Sequence, residues 1–123
     1  MAGLIASYHR GDVEAVKKAL ARGENVNGRN DFDETPLMIA AEGVSETEIS
    51  ILKLLLKHPS VEVNLAGHNG LTALMYAVKN RGSITSVKLL LADRRVNVNL
   101  QNDDNETALM IAAQGLSEDP RLC

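Results

Sequence analysis

The chain has 123 residues, 45% of them hydrophobic and 24% charged, which suits a single soluble domain, and 13 Lys and Arg stand against 16 Asp and Glu for a net charge of −3. No basic run follows a phosphate backbone, which argues against nucleic acid as a partner, and no stretch reaches the roughly 18 apolar residues of a membrane span. A single cysteine, Cys123, permits no intrachain disulfide, and the start MAGLIASYHRGDVE lacks the pattern of a signal peptide, so the expected location is the cytoplasm, extending to the nucleus.

The first predicted element is a helix with Val16, Ala19 and Leu20 on one face, capped by Asp12 and stopped by Gly23. Asn25-Val26-Asn27 is extended, and residues 30–34 form a polar, turn-rich tip. Thr35 then caps a helix with Pro36 in its first position and Leu37, Ala40 and Ala41 on one face. Ser45-Glu46-Thr47-Glu48 reads as a capping box opening another helix, striped by Leu52, Leu55 and Leu56 and stopped by Pro59. The same grammar returns: Glu62-Val63-Asn64, a tip at 67–71, a helix led by Thr72 with Leu74, Ala77 and Val78, and a helix capped by Ser83 with Val87, Leu90 and Leu91. It then starts a third time with Asn97-Val98-Asn99, a tip at 102–106 and a helix led by Thr107 with Leu109, Ala112 and Ala113.

TPLMIAA at 35–41, TALMYAV at 72–78 and TALMIAA at 107–113 thus recur at intervals of 37 (72 − 35) and 35 (107 − 72) residues, the period of a solenoid. Helices of two to three turns are marginal alone, so each must be stabilised by its neighbours. These units resemble ankyrin repeats, in which a Thr-Pro-Leu-His phrase opens the first helix, a Leu-Leu pair marks the second, and Val-Asn precedes the next finger. The resemblance implies an all-α repeat solenoid of stacked helix-loop-helix units with projecting β-hairpin-like fingers. It divides the chain into an N-terminal cap repeat (1–29), repeats at 30–66 and 67–101, and a partial C-terminal repeat (102–123). The family's His is replaced by Met38, Met75 and Met110, so the inter-repeat hydrogen bonds that the His makes cannot form through a thioether and more of the cohesion is apolar.

No catalytic, metal or cofactor constellation stands out: His9, His58 and His68 lie in different units without ligand spacing, and Asp103-Asp104 sits on a turn tip. The expectation is a non-catalytic scaffold that binds another protein. In the family, finger tips and the exposed end of each first helix line a concave binding surface. Carried onto this chain, that surface holds Asp31, Phe32 and Glu34, then His68, Asn69 and Leu71, then Asp103, Asp104 and Glu106, with Lys79 and Asn80 from a first helix. Phe32, the sole Phe, is the candidate anchor, and Leu71 is a comparable apolar tip. Tyr76 either packs between repeats or meets a partner. The acidic edge predicts a basic or mixed basic-apolar partner surface.

Asn64 and Asn99 directly follow Val and lie eight residues after Leu56 and Leu91, a pattern resembling the sites where an asparaginyl hydroxylase modifies ankyrin repeats; alternatively the side chain bonds the hairpin backbone. After TALMIAA the chain has only QGLSEDPRLC, which parallels EGVSETEIS. Either this copy is incomplete, leaving Leu109, Ile111 and Ala112 uncovered, or the chain continues. The competing reading of function is therefore association of that open end with another copy or with further chain.

Overall fold

A computed structural model describes residues 13–43, 45–79 and 84–117, the last three as helical backbone only. It contains six helices among these residues: α1 (Val13–Ala21), α2 (Pro36–Glu42), α3 (Glu46–Leu56), α4 (Ala73–Lys79), α5 (Ile84–Ala92) and α6 (Ala108–Ser117), with a short 3-10 turn at His68–Gly70. The expected caps at Asp12 and Ser83, and the candidate residue Asn80, lie outside the described residues.

Local chemistry sets the helix ends. At the close of α1, Gly23 takes φ +83°, which favours glycine, and the Gly23 and Glu24 amides donate to the Leu20 and Ala19 carbonyls at 3.0 and 3.2 Å. Thr35, Thr72 and Thr107 each accept, through Oγ1, the amide of the Met three residues on, at 3.3, 3.4 and 3.3 Å. Met38 Sδ in turn accepts the Thr35 amide at 3.4 Å, so the thioether keeps a polar role within its own repeat. Ser45 and Glu48 form the reciprocal capping box of α3.

Helices α2, α4 and α6 stack as one row and α1, α3 and α5 as the other, with α2 resting on α3 and α4 on α5. Two short rows bury one continuous core: the inward faces of α2 and α4 meet Val16 and Ala19 of α1, Ile51, Leu52 and Leu55 of α3, and Leu90 of α5. The fold is the all-α stack that the sequence predicts, and its fingers are hydrogen-bonded turns with no paired strand among the described residues.

Side chains tie neighbouring repeats through the extended segments that lead into the fingers. Asn27 donates to the Ser60 carbonyl (2.9 Å) and accepts the Glu62 amide (2.8 Å); Asn64 likewise donates to the Arg95 carbonyl and accepts the Asn97 amide, both at 2.8 Å. Arg95 chelates Asp93 and reaches back to the Leu56 carbonyl at 2.6 Å, bonding an end carbonyl of α3. The Arg95 side-chain hydrogen bonds hold the Asp93 carboxyl below its usual pKa, against a smaller opposing effect of burial. Asn64→Ala removes both inter-repeat bonds at an exposed site. It is expected to cost about 1 kcal/mol in urea denaturation; an unchanged midpoint would mean that water replaces them in full.

Candidate functional site

Each finger begins at the residue five before the helix-capping Thr. In the first, the Asn30 amide donates to the Glu34 carbonyl at 3.0 Å, while Asn30 Oδ1 accepts the Phe32 and Glu34 amides at 2.9 Å. Its carboxamide then donates to Glu34 Oε1 at 3.0 Å, a clasp across the turn. The third finger repeats the frame with Asn102 and Glu106: Asn102 Oδ1 accepts the Asp104 and Glu106 amides at 2.9 Å, and its carboxamide donates to Glu106 Oε1 at 3.0 Å. Asp33 and Asn105 take φ +61° at equivalent points, a conformation that Asp and Asn tolerate better than most residues.

The middle finger lacks both clasp residues, having Gly67 and Leu71 in their places. Its turn is held by main-chain bonds alone, Gly67 amide to Leu71 carbonyl and Gly70 amide to Gly67 carbonyl, both at 2.9 Å. Leu71 is not the exposed apolar tip that the sequence reading expects. It occupies the position of Glu34 and Glu106, whose side chains fold back over their own turns, and with no Asn to clasp it packs into the core at 6% exposure.

Fingers touch through backbone. The Asp103 amide donates to the Asn69 carbonyl at 2.9 Å, and Arg29 reaches the Ala66 carbonyl at 2.7 Å while pairing with Asp33 at 3.1 Å. A groove of about 380 Å³ opens between the second and third fingers. Leu71 and Ile111 are its apolar residues, and Asn69, Lys79, Asn102, Asp104, Glu106 and Gln114 its polar ones. Five residues singled out from the sequence, Asn69, Leu71, Lys79, Asp104 and Glu106, therefore line one groove, whereas Asp31 and Phe32 stand on the first finger outside it. Phe32 is 74% exposed; Asp31, His68 and Asp103 are exposed as well. Ile111, expected to be uncovered, is half-buried against the core.

Electrostatics distinguish the carboxylates. Glu106 accepts hydrogen bonds from Asn102 and from Gln114 Nε2, and these hold its carboxyl below the usual range, so it is ionised and oriented. Asp31, Asp103 and Asp104 make no ion pair among the described residues. Tyr76 is buried, as packing between repeats requires, and its hydroxyl is pushed above its ordinary pKa by burial, then by the charges of Glu34, Glu42 and Asp33. The two candidate modification sites differ. Asn64 has its amide engaged on both sides by the next repeat, while Asn99 is exposed with its backbone amide donating to Asn97 Oδ1. Sequence reasoning missed Arg29 and Arg95; their partners lie 34 to 39 residues away, a separation that the repeat interval itself signals. No described helix is long and apolar enough to cross a membrane.

Paired short helices in two stacked rows, joined by projecting turns in register, define a helical repeat solenoid. The profile of the family described as ankyrin repeats (3 copies) matches residues 4–102, and the chain belongs to that family. It is similar to the transient receptor potential cation channel subfamily A member 1 of Homo sapiens, at 38% identity over 80 residues, which is 65% of this chain and 7% of that protein. The chain therefore spans a small part of this relative's length. Ankyrin repeats are generally protein-interaction modules, and the family is generally non-catalytic.

Proposed function

We propose that this chain is a non-catalytic binding module that holds a basic or mixed basic-apolar protein surface along its finger edge. The observation that carries this reading is the groove between the second and third fingers, where the Asp104 and Glu106 carboxylates stand beside the apolar side chains of Leu71 and Ile111. A basic side chain entering there meets an ionised Glu106 already fixed by two donors, and its aliphatic stem meets Leu71 and Ile111. Phe32, beyond the groove on the first finger, supplies an apolar anchor. Lys79 at the groove selects against a wholly basic ligand and favours a mixed one.

The test compares wild type, Phe32→Ala and the double variant Asp103→Asn with Asp104→Asn in retaining proteins from a cell extract, with rates then measured on whatever wild type retains. The double variant is expected to slow association mainly at low salt, because exposed charges steer encounters. Phe32→Ala is expected to speed dissociation by about 30-fold, the effect of an interface anchor. Retention unaltered in both variants would show that the finger edge is not the docking surface.

A further inference from the structure

The gap between the first and second fingers is the register equivalent, one repeat earlier, of the groove between the second and third. That groove is lined by Leu71 and Lys79 from one repeat and by Asp104, Glu106, Ile111 and Gln114 from the next. Counted back by the repeat intervals, Glu34 and Glu42 hold the places of Leu71 and Lys79, and Tyr76 holds that of Ile111. Phe32 takes the place of Asn69 at the rim, so the register brings two of the chain's three aromatic residues to one gap. Tyr76 is 8% exposed, and its hydroxyl has no hydrogen-bond partner among the described residues. The charges that act on that hydroxyl are those of Glu34, Glu42 and Asp33, which directs it into the gap and away from the apolar core. Asp33 is paired with Arg29. Glu34, half-buried and fixed through Oε1 by the Asn30 carboxamide, makes no ion pair among the described residues.

We propose that this gap seats an arginine side chain of the partner, its guanidinium donating to the Tyr76 hydroxyl and the Glu34 carboxylate beside Phe32. The inference rests on the reading of a basic partner given above, and adds the residue type and its seat. A buried hydroxyl without a partner and a half-buried carboxylate without a cation each carry a desolvation penalty, and a single cationic donor relieves both. Arginine meets that demand better than lysine. Its five donors spread over a planar fork reach two acceptors at once, and its weakly hydrated plane stacks on an aromatic face, whereas an ammonium is a compact, strongly hydrated charge. In the neighbouring groove Ile111 and Leu71 stand at the two positions concerned, so the hydroxyl and this carboxylate belong to the first gap alone.

The probe is N-acetylarginine methylamide, titrated into the whole 123-residue chain, isotopically labelled, and followed through the backbone amide resonances in NMR. A ligand of this size binds weakly, so the titration runs through the millimolar range. Saturable shifts are expected at Glu34, Glu42 and Tyr76. N-acetylcitrulline methylamide, of the same shape but uncharged, should cause none, and the corresponding lysine derivative should bind several-fold more weakly. Glu34→Gln keeps an oxygen for the Asn30 clasp, and Tyr76→Ile brings in the residue that Ile39 and Ile111 already supply at this position; each should weaken binding by about tenfold. Shifts that never saturate, that citrulline reproduces, or that persist at full strength in both variants overturn the proposal, and equal binding of the lysine derivative overturns the choice of arginine. Saturable shifts confined to the groove between the second and third fingers would strike this seat and leave the basic partner standing. Retention indifferent to the Phe32 and Asp103 with Asp104 variants would instead strike that reading, without altering a saturable titration here.

Discussion

Leu37→Ala is expected to cost about 2–5 kcal/mol, while the same replacement at Leu109 should stay within about 0.5 kcal/mol of wild type. The two leucines hold the same place in their repeats, second residue after the capping Thr, and differ only in what surrounds them. Leu37 is enclosed in the core, so truncation loses the transfer free energy of its side chain and leaves a cavity that the stacked helices close only in part. Leu109 stands in an open groove between α4, α5 and α6, where its side chain has little burial to lose. For a chain of this size roughly 4 °C of melting temperature follows each kcal/mol, so Leu37→Ala should melt some 8–20 °C lower. Thermal and urea unfolding of both variants decide it. A matching loss at Leu109 would mean that the end face is covered in solution, which the exposed groove contradicts.

The second large effect is expected at a glycine whose value lies in closeness of approach. Gly67 has φ −108°, outside the left-handed region, and a Cβ built there would lie 2.4 Å from the Asp33 carbonyl oxygen and 3.0 Å from Met38 Sδ. The first contact is to backbone, so Gly67→Ala must push the first and second fingers apart and disturb the Met38 sulfur that accepts the Thr35 amide. Overpacking of this kind costs about 1–3 kcal/mol. Gly28→Ala is the control, because a Cβ there has its nearest neighbour at an ordinary 3.6 Å, and it should leave stability within about 0.5 kcal/mol of wild type. Equal behaviour of the two variants would remove Gly67 as the point of contact between fingers.

The features that were readable in advance are those written over a few residues. Thr35, Thr72 and Thr107 cap because Oγ1 reaches an amide three residues on, and the stripes at i, i+3 and i+4 declare which face turns inward. The fate of Leu71 depends instead on its finger: in a polar tip it reads as exposed, but its register partners Glu34 and Glu106 fold back across the turn to clasp an Asn, so the position does not project from the tip. Comparing the fingers position by position would have shown it. Glu34 and Glu106 read as charged contacts, yet one oxygen of each holds its own turn. Nothing local marks Asn27, Asn64 or Arg95 as ties between repeats, because the carbonyls and amides they meet come within reach only once the units have stacked.

In the fingers, the residues that hold the turn and the tip side chains that face outward are largely different, Asn102 and Glu106 serving both the turn and the groove. Asn30, Glu34, Asn102 and Glu106 clasp the first and third turns, and main-chain bonds close the second. The side chains of Asp31, Phe32, His68 and Asp104 take no part in these bonds. Their identity can therefore change, from charge to ring to aliphatic group, without loosening the frame beneath. Such an array can acquire a new partner by substitution at a few tip positions while its foldability is inherited unaltered, so that recognition and stability are free to evolve on separate schedules.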